Sequence, residues 1–572
     1  MDHKHIVKFC KDLGCCDGCC IRYLGLKNPS AYENVHQFIL KYLEPSINSK
    51  LQNANIESED NILTTDKTDI GCEVESDSTP VLTENISKCP ETSAETSPRE
   101  PDDRLCNLPP AKRIKLDNVC VSCLGVLQEE TWPESLNMVK EALEKKCYEC
   151  ESLACALSSP IAAMLRERAI TLRLEDAFPA YEHKIVMPLK EAWKWSFGRR
   201  MAEFVGKQLD SGAVAPLLVT LNIEYPDDLQ ELEVLKSLAP ALFSERSAQR
   251  RRFAVEFTRR AVEQALAGVA LAALAAQAGW GAGLPAARSC ARPVSVLAAH
   301  APLYLGGRYI KLSRVLPQTP WLVGGRRMLH SSVQEIIFEP VASAFGLGAE
   351  EAERQLKFIS AGREDVDVRC LGTGRPFALE ITDPRRQPGA IELQRVCELI
   401  SASGKVIVKN LVPVTREDLA QLKQGEESKC KSYEALCIKL EHTESDKTAV
   451  NGSDVAPAVT EQDLQNVNAF RNTAPGDAAR VLLSQRTPLR VLHRRPLLAR
   501  ARRIYALAAR AVPGRPALFV LRVRTEAGTY IKEWAHGELR RTRPALGDAL
   551  GARADILALD VADVELPWPP AS

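Results

Sequence analysis

Apolar and polar positions alternate most clearly in the second half of the chain. Val366, Val368 and Cys370 alternate with Asp367, Arg369 and Leu371, a period of two that predicts a strand. Phe377–Ile381 reads as its hairpin partner across the Gly-rich stretch Leu371–Pro376. An earlier apolar run, Lys357–Ala361, leaves a short loop before that strand, and Asp365 sits on this loop. Leu217–Ile223 reads as a core strand and Asp555–Val561 as a closing one. Between them, residues 247–277 read as one helix. It carries Phe253 and Phe257 at helical spacing, with Arg250, Arg251, Arg252, Arg259 and Arg260 around them.

The same pattern divides the chain. Residues 1–45 read as folded and cysteine-dense, and 46–116 form an acidic insertion poor in aromatics that is expected to be disordered. Order returns near Val119. We expect an accessory domain over 1–290 and a second domain over 291–572, the latter interrupted by a polar surface insertion at 441–475. At 572 residues there is chain enough for two cores.

Charge sharpens this picture. Lys+Arg and Asp+Glu balance at 74 each. Yet residues 51–104 carry a net −10, residues 241–330 a net +10 and residues 480–545 a net +13. Two basic segments in a neutral protein point to a polyanionic partner. No apolar core follows the first residues, so no secretory signal is expected, and the Ala-rich window Ala265–Ala275 is too short to span a bilayer. It is expected to be a buried helix, and no membrane partner is expected.

Eighteen cysteines without a secretory signal argue for thiols and metal ligands in a reducing compartment. Cys16 with Cys19, and Cys120 with Cys123, are CxxC pairs whose four thiolates suit structural Zn²⁺. Cys15 and Cys20 flank the first pair. Cys147 and Cys150 form a third CxxC in a helical pattern and are read as unpaired. At the end of the acidic insertion, Pro109–Asp117 holds the cluster Lys112, Arg113 and Lys115, which is similar to a nuclear-localisation signal. It implies an import receptor and residence in both nucleus and cytoplasm.

The candidate chemistry gathers around Asp365, in the run Arg363-Glu364-Asp365-Val366-Asp367-Val368-Arg369. An aspartate close to arginines is held ionised, ready to act as nucleophile, base or metal ligand. Upstream, Gly306–Arg314 places Arg308, Tyr309, Lys311 and Arg314 in a cation–aromatic pattern expected to grip an RNA backbone. Downstream stand Lys431-Ser432-Tyr433, the run Arg490–Pro496 with Arg494 and Arg495, and Gly528-Thr529-Tyr530-Ile531-Lys532. Together with the CxxC pairs, these motifs resemble the Pus-ten family of pseudouridine synthases along nearly the whole chain.

That resemblance implies an α+β protein. Its C-terminal pseudouridine synthase domain would have a broad, mostly antiparallel sheet, and its N-terminal α/β zinc-binding domain would contain a THUMP-like part for RNA. It implies isomerisation of uridine to pseudouridine in the TΨC loop of tRNA, with no catalytic cofactor; a monomer is expected. Asp365 would be the nucleophile, Tyr433 would stack on the flipped base, and Lys532 would pair with Asp365. Arg308, Tyr309, Lys311, Arg314, Arg363, Arg494 and Arg495 would touch RNA. Two other readings stand beside it. Asp367 with Glu380 suggests a Mg²⁺-dependent nuclease, although Thr382 occupies the position where such sites carry a lysine. Zinc knuckles with basic grooves would also suit a non-catalytic RNA-binding adaptor.

Overall fold

The computed structural model describes residues 3–43, 118–182, 186–210, 216–248, 255–277, 279–281, 283–422, 430–443, 457–493 and 495–570. The nuclear-localisation cluster, the whole of the acidic insertion, Arg250, Arg251, Arg252, Phe253 and Arg494 lie outside the described residues. Two compact units emerge. One comprises Met1–Val139, Cys155–Val205 and Thr220–Val296; the other comprises Lys140–Ala154, Gly206–Val219 and Leu297–Ser572. The division therefore differs from a single cut at residue 290. Two segments of the expected accessory domain group with the C-terminal half.

Strands β1 (Ser152–Ser158), β2 (Gln208–Leu209), β3 (Leu217–Glu224) and β4 (Arg292–His300) form a sheet of order β2-β1-β3-β4. The expected core strand is β3, where Leu217, Val219, Leu221 and Ile223 are buried in alternation. The expected single helix over 247–277 is instead broken. Pro240–Ala248, Arg259–Leu266 and Leu271–Ala275 are separate short helices. Thr258 starts the second by accepting a hydrogen bond from the Ala261 N–H at 3.3 Å. Breaking the helix lets Phe257 fold back onto Phe243, with ring centroids 5.2 Å apart, in the core formed with Leu165, Leu172 and Leu235.

In the second unit lie β5 (Leu303–Lys311), β6 (Leu322–Val323), β7 (Arg326–Arg327), β8 (Leu356–Ser360), β9 (Arg369–Ile381), β10 (Val406–Val414), β11 (Cys430–Lys439), β12 (Val481–Arg486), β13 (Ala499–Val512), β14 (Arg515–Glu526), β15 (Thr542–Arg543) and β16 (Ala554–Val564). All but the β6–β7 hairpin join one ten-stranded sheet of order β10-β5-β9-β16-β11-β14-β13-β12-β15, with β8 pairing β9. Within this sheet, only β16 and β9 are parallel among the strand pairs described. This is the broad, mostly antiparallel sheet expected, and β16 is the expected closing strand.

The expected hairpin inside 366–381 does not exist. Residues 369–381 are one continuous strand, and the hairpin partner is β8, from Leu356 opposite Ile381 to Ser360 opposite Phe377. The Gly-rich stretch is a distortion within β9. Gly374 has φ +88°, and a Cβ there would stand 2.8 Å from the Tyr309 carbonyl oxygen. Only glycine fits this bend. The bend allows β9 to pair with β16 at Arg369–Cys370 and with β5 further along.

The expected surface insertion at 441–475 is also revised. Its described part contains the helix Glu461–Ala469, which buries Leu464 and Val467 against β13 and neighbouring strands. Asp463, fully buried there, pairs with buried Lys439 of β11 at 2.7 Å. Among the described residues, no helix is long and apolar enough to cross a membrane.

Candidate active site and cysteine cluster

The loop from Ala361 to Val368, between β8 and β9, carries Asp365. Its backbone is held from beneath by buried side chains. Lys311 is fully buried and donates to the carbonyls of Leu316, Asp365 and Val366 at 2.7, 3.0 and 2.9 Å. Gln318 donates to the Gly362 carbonyl at 3.0 Å, and Arg375 donates to that of Ala361 at 3.0 Å. Glu364 points inward to a buried ion pair with Arg375 at 2.6 Å and accepts the Tyr309 hydroxyl at 2.9 Å. Burial alone would lower the pKa of Arg375, but Glu364 beside it raises it above the ordinary value. Lys311 behaves the other way: burial depresses its pKa, and the nearby Glu364 only partly opposes this.

With Glu364 turned in, Asp365 turns out, its side chain 36% exposed. Arg490 stands 3.0 Å from its carboxylate and Lys532 3.6 Å. Arg490 is itself held at 2.6 Å by Glu533, whose second carboxylate oxygen is buried without a partner. Lys532 sits 2.7 Å from Asp367. Burial would raise the pKa of Asp367, but Lys532 outweighs it and holds the carboxyl below the usual range. Lys532 and Glu533 owe their placement to the helix Ile531–His536, which buries Ile531, Trp534 and Ala535 in the core. Each large apolar side chain so buried contributes about 1.5–3 kcal/mol.

Tyr433, on β11, packs half-buried against the same core. Burial pushes its pKa up to about 12, Arg375 pulls it back, and the charge of Asp365 adds to the rise. At neutral pH it is an uncharged phenol within the field of Asp365.

The structure places Lys532 beside Asp365 and Tyr433 where the charge of Asp365 acts on it, but the pairing of the lysine differs from the expected one. Lys532 contacts Asp367 more closely than Asp365, and Arg490 is the nearer cation to Asp365. Arg490 was not singled out in the sequence; its neighbours Arg494 and Arg495 were. The one available signal was its place at the head of the same motif.

The expected RNA contacts fare less well. Arg308 is buried and donates to the carbonyls of Thr373, Gly374, Val564, Leu566 and Trp568. It clamps the β9 distortion to the C-terminal segment. Tyr309 and Lys311 are likewise inside, so these three do not face an RNA. Arg314 is a third exposed but pairs with Asp560 at 2.6 Å and holds the Asp367 carbonyl at 3.0 Å. Arg363 and Arg495 are exposed. The two-carboxylate nuclease reading loses its geometry: Glu380 pairs with Lys357 at 3.1 Å, while Asp367 precedes the other end of β9. On the order of 30 Å of extended strand lies between.

In the first unit, the sulfurs of Cys16, Cys19, Cys120 and Cys123 lie within 4.8 Å of one another, and among the described residues they alone form a group able to hold a metal ion. Tetrahedral ZnS₄ geometry places sulfurs about 3.8 Å apart, and Cys16 and Cys123 are at 3.7 Å. The Cys16 N–H points at Cys120 Sγ at 3.2 Å and the Leu127 N–H at Cys123 Sγ at 3.4 Å. Buried Arg22 reaches Cys19 Sγ at 3.7 Å. Donors aimed at sulfur suit thiolates. Cys15 and Cys20 are buried outside this group. Cys147 and Cys150 are outside it too, and both lie past the last residue of the helix Trp132–Lys146 rather than within it.

Family models match the chain twice: "Pus10, C-terminal" over residues 304–565 and "Eukaryotic Pus10, N-terminal" over residues 120–290. The tRNA pseudouridine synthase Pus10 of Homo sapiens is 31% identical over 584 residues, covering 100% of this chain and 98% of that protein. The protein of the same name from Xenopus laevis is 32% identical over 475 residues, 82% of this chain and 84% of that protein. Among solved structures, a chain of a Cbf5–Nop10–Gar1 complex aligns at 19% identity over 45% of this chain and 48% of that one, with a TM-score of 0.23. The sheet and the C-terminal match define a catalytic domain of the pseudouridine synthase type. The chain belongs to the Pus10 family.

Proposed function

We propose that this chain is a tRNA pseudouridine synthase with Asp365 as nucleophile. The observation that carries the reading is the inside-out pair Glu364–Asp365: one carboxylate is locked into a buried ion pair, and the next is lifted, half-exposed, between Arg490 and Lys532. Full-length relatives named for this activity support it.

A uridine rotated out of its stack presents ribose C1′ to the Asp365 carboxylate. Attack forms an ester to C1′ while the bond to N1 breaks, leaving its electron pair on the base. The base turns, and C5 attacks C1′, which releases the carboxylate as the carbon–carbon bond forms. C5 then loses its proton and N1 gains one. Substrate and product are isomers, so the reaction requires no redox or group-transfer partner. Tyr433, uncharged at neutral pH, stacks on the base and passes on the C5 proton. Arg490 and Lys532 keep Asp365 ionised and oriented.

The test is Asp365→Asn. Tritium release from tRNA labelled at uridine C5 should fall at least ~10³-fold, while tRNA affinity stays within a few-fold. Wild-type-like turnover by this variant would overturn the mechanism. Mapping pseudouridine in the product would test the finer expectation that the targets are adjacent uridines of the TΨC loop.

The cysteine cluster is proposed to hold structural zinc. Its four protein ligands leave no open position, so the metal would tie the N-terminal segment to the unit it begins. That unit, with the THUMP-like part implied by the family, is proposed to bind RNA, supported by the net +5 over its residues 241–296. The cluster Lys112, Arg113 and Lys115 is proposed to drive nuclear entry; the triple alanine variant should lose nuclear accumulation in cells.

A further inference from the structure

On one side of the β12–β13 pair, a cleft of about 40 Å³ is lined by Arg495, Arg500 and Arg502 with Gln485, Gly528 and Tyr530, and by Thr487, Pro496 and Leu498 between them. A water needs roughly 10–15 Å³ of such space, so the cleft has room for about three waters, or for one phosphate group. No carboxylate lines it.

Its construction is regular. Arg500 and Arg502 are two apart on β13 and project to the same face, and Gln485 of β12 lies opposite Arg500. Arg502 is tied to Glu526 at 3.2 Å and to the Gly528 carbonyl at 3.3 Å. Among the described residues, Arg495 and Arg500 have no carboxylate within ion-pair distance. One arginine is thus fixed and two are available. Guanidinium donors lining so small a space suit a phosphate oxygen set better than a base, which needs a wider slot.

The cleft is also joined rigidly to the nucleophile. Buried Gln485 accepts the Tyr530 N–H at 2.9 Å and donates to the Tyr530 carbonyl at 2.9 Å. Tyr530 immediately precedes the helix Ile531–His536 that carries Lys532 and Glu533 to Asp365 and Arg490.

We propose that this cleft is a phosphate-binding subsite that grips the backbone of the substrate RNA beside the flipped uridine. It sets a fixed distance between one phosphate and Asp365, and so helps decide which uridine reaches the carboxylate. The proposal rests on the tRNA pseudouridine synthase reading above.

Binding can be tested apart from turnover by using the Asp365→Asn protein and measuring the affinity of an in vitro transcribed tRNA across a salt series. Adding Arg495→Gln and Arg500→Gln should weaken binding about tenfold and reduce the salt slope by about one. Arg515→Gln, an exposed arginine at the turn joining β13 to β14, serves as control and should change neither. Unchanged affinity and slope in the double variant would overturn the subsite. An equal loss in the Arg515→Gln control would overturn it too, because the effect would then be diffuse surface charge. Unaltered melting temperatures separate both outcomes from misfolding. Should the wild-type protein form no pseudouridine in tRNA while the double variant still loses binding, the catalytic reading would fail and the subsite would stand.

Discussion

Lys532 stands 2.7 Å from Asp367 and 3.6 Å from Asp365. One lysine therefore serves two carboxylates, and the nearer one is not the proposed nucleophile. Asp367 also lies in the site instead of turning away from it, as strict strand alternation from Val366 and Val368 would have required.

Replacing Asp367 by Asn should therefore be felt. The loss of its charge frees Lys532 to close on Asp365. A partly exposed ion pair of this kind is worth about 1 kcal/mol at most, so turnover should fall by roughly twofold to fivefold, far less than in Asp365→Asn. Single-turnover rates on saturating tRNA would measure it.

Glu533→Gln removes the charge that holds Arg490 from behind. Arg490 then swings wholly onto Asp365, and kcat should drop about tenfold with KM nearly unchanged. A control, Glu533→Asp, should recover part of the rate, which a loss of folding alone would not predict. The comparison of kcat with KM decides the matter.

Lys311→Met should cost stability, not RNA affinity. It leaves three buried carbonyls without their donor, a loss of about 2–4 kcal/mol. The urea midpoint and kcat should both fall. The salt slope of tRNA binding should stay at the wild-type value, because this cation is fully buried.

Tyr433 provides a pH test. Its pKa is raised to about 12 in the folded state, against about 10 in an unfolded chain. Its contribution to stability is therefore complete below pH 10 and is lost as pH rises towards 12. Tyr433→Phe should flatten part of the alkaline fall in stability over that window, as followed by urea melts at each pH. Other buried tyrosines will account for the remainder of the slope.

Metal analysis should find one zinc per chain. Cys120→Ser with Cys123→Ser should abolish it and lower the melting temperature of the first unit, whereas Cys15→Ser should retain it. Retention of stoichiometric zinc in the double variant would show that other thiols are the ligands.

What the sequence determined by itself was local or chemically distinctive. Period-two alternation located β3 and β16, because a strand with one buried face must alternate wherever it is placed. The CxxC spacing selected the four clustered cysteines, since two residues between thiols suffice to aim both at one ion. Asp365 was legible because a rare run of charged residues surrounds it between two apolar runs. Tertiary structure decided the remainder. Gly372 and Gly374 looked like a turn, yet they bend one strand, because what crowds Gly374 is the Tyr309 carbonyl on another strand. Arg308 and Lys311 looked like surface cations; folding surrounds them with carbonyl oxygens, and a guanidinium or ammonium meets those as readily as it meets phosphate. Arg490 reaches Asp365 from 125 residues away. No local pattern encodes that approach, because it depends on the helix Ile531–His536 docking Glu533 where it can hold the arginine.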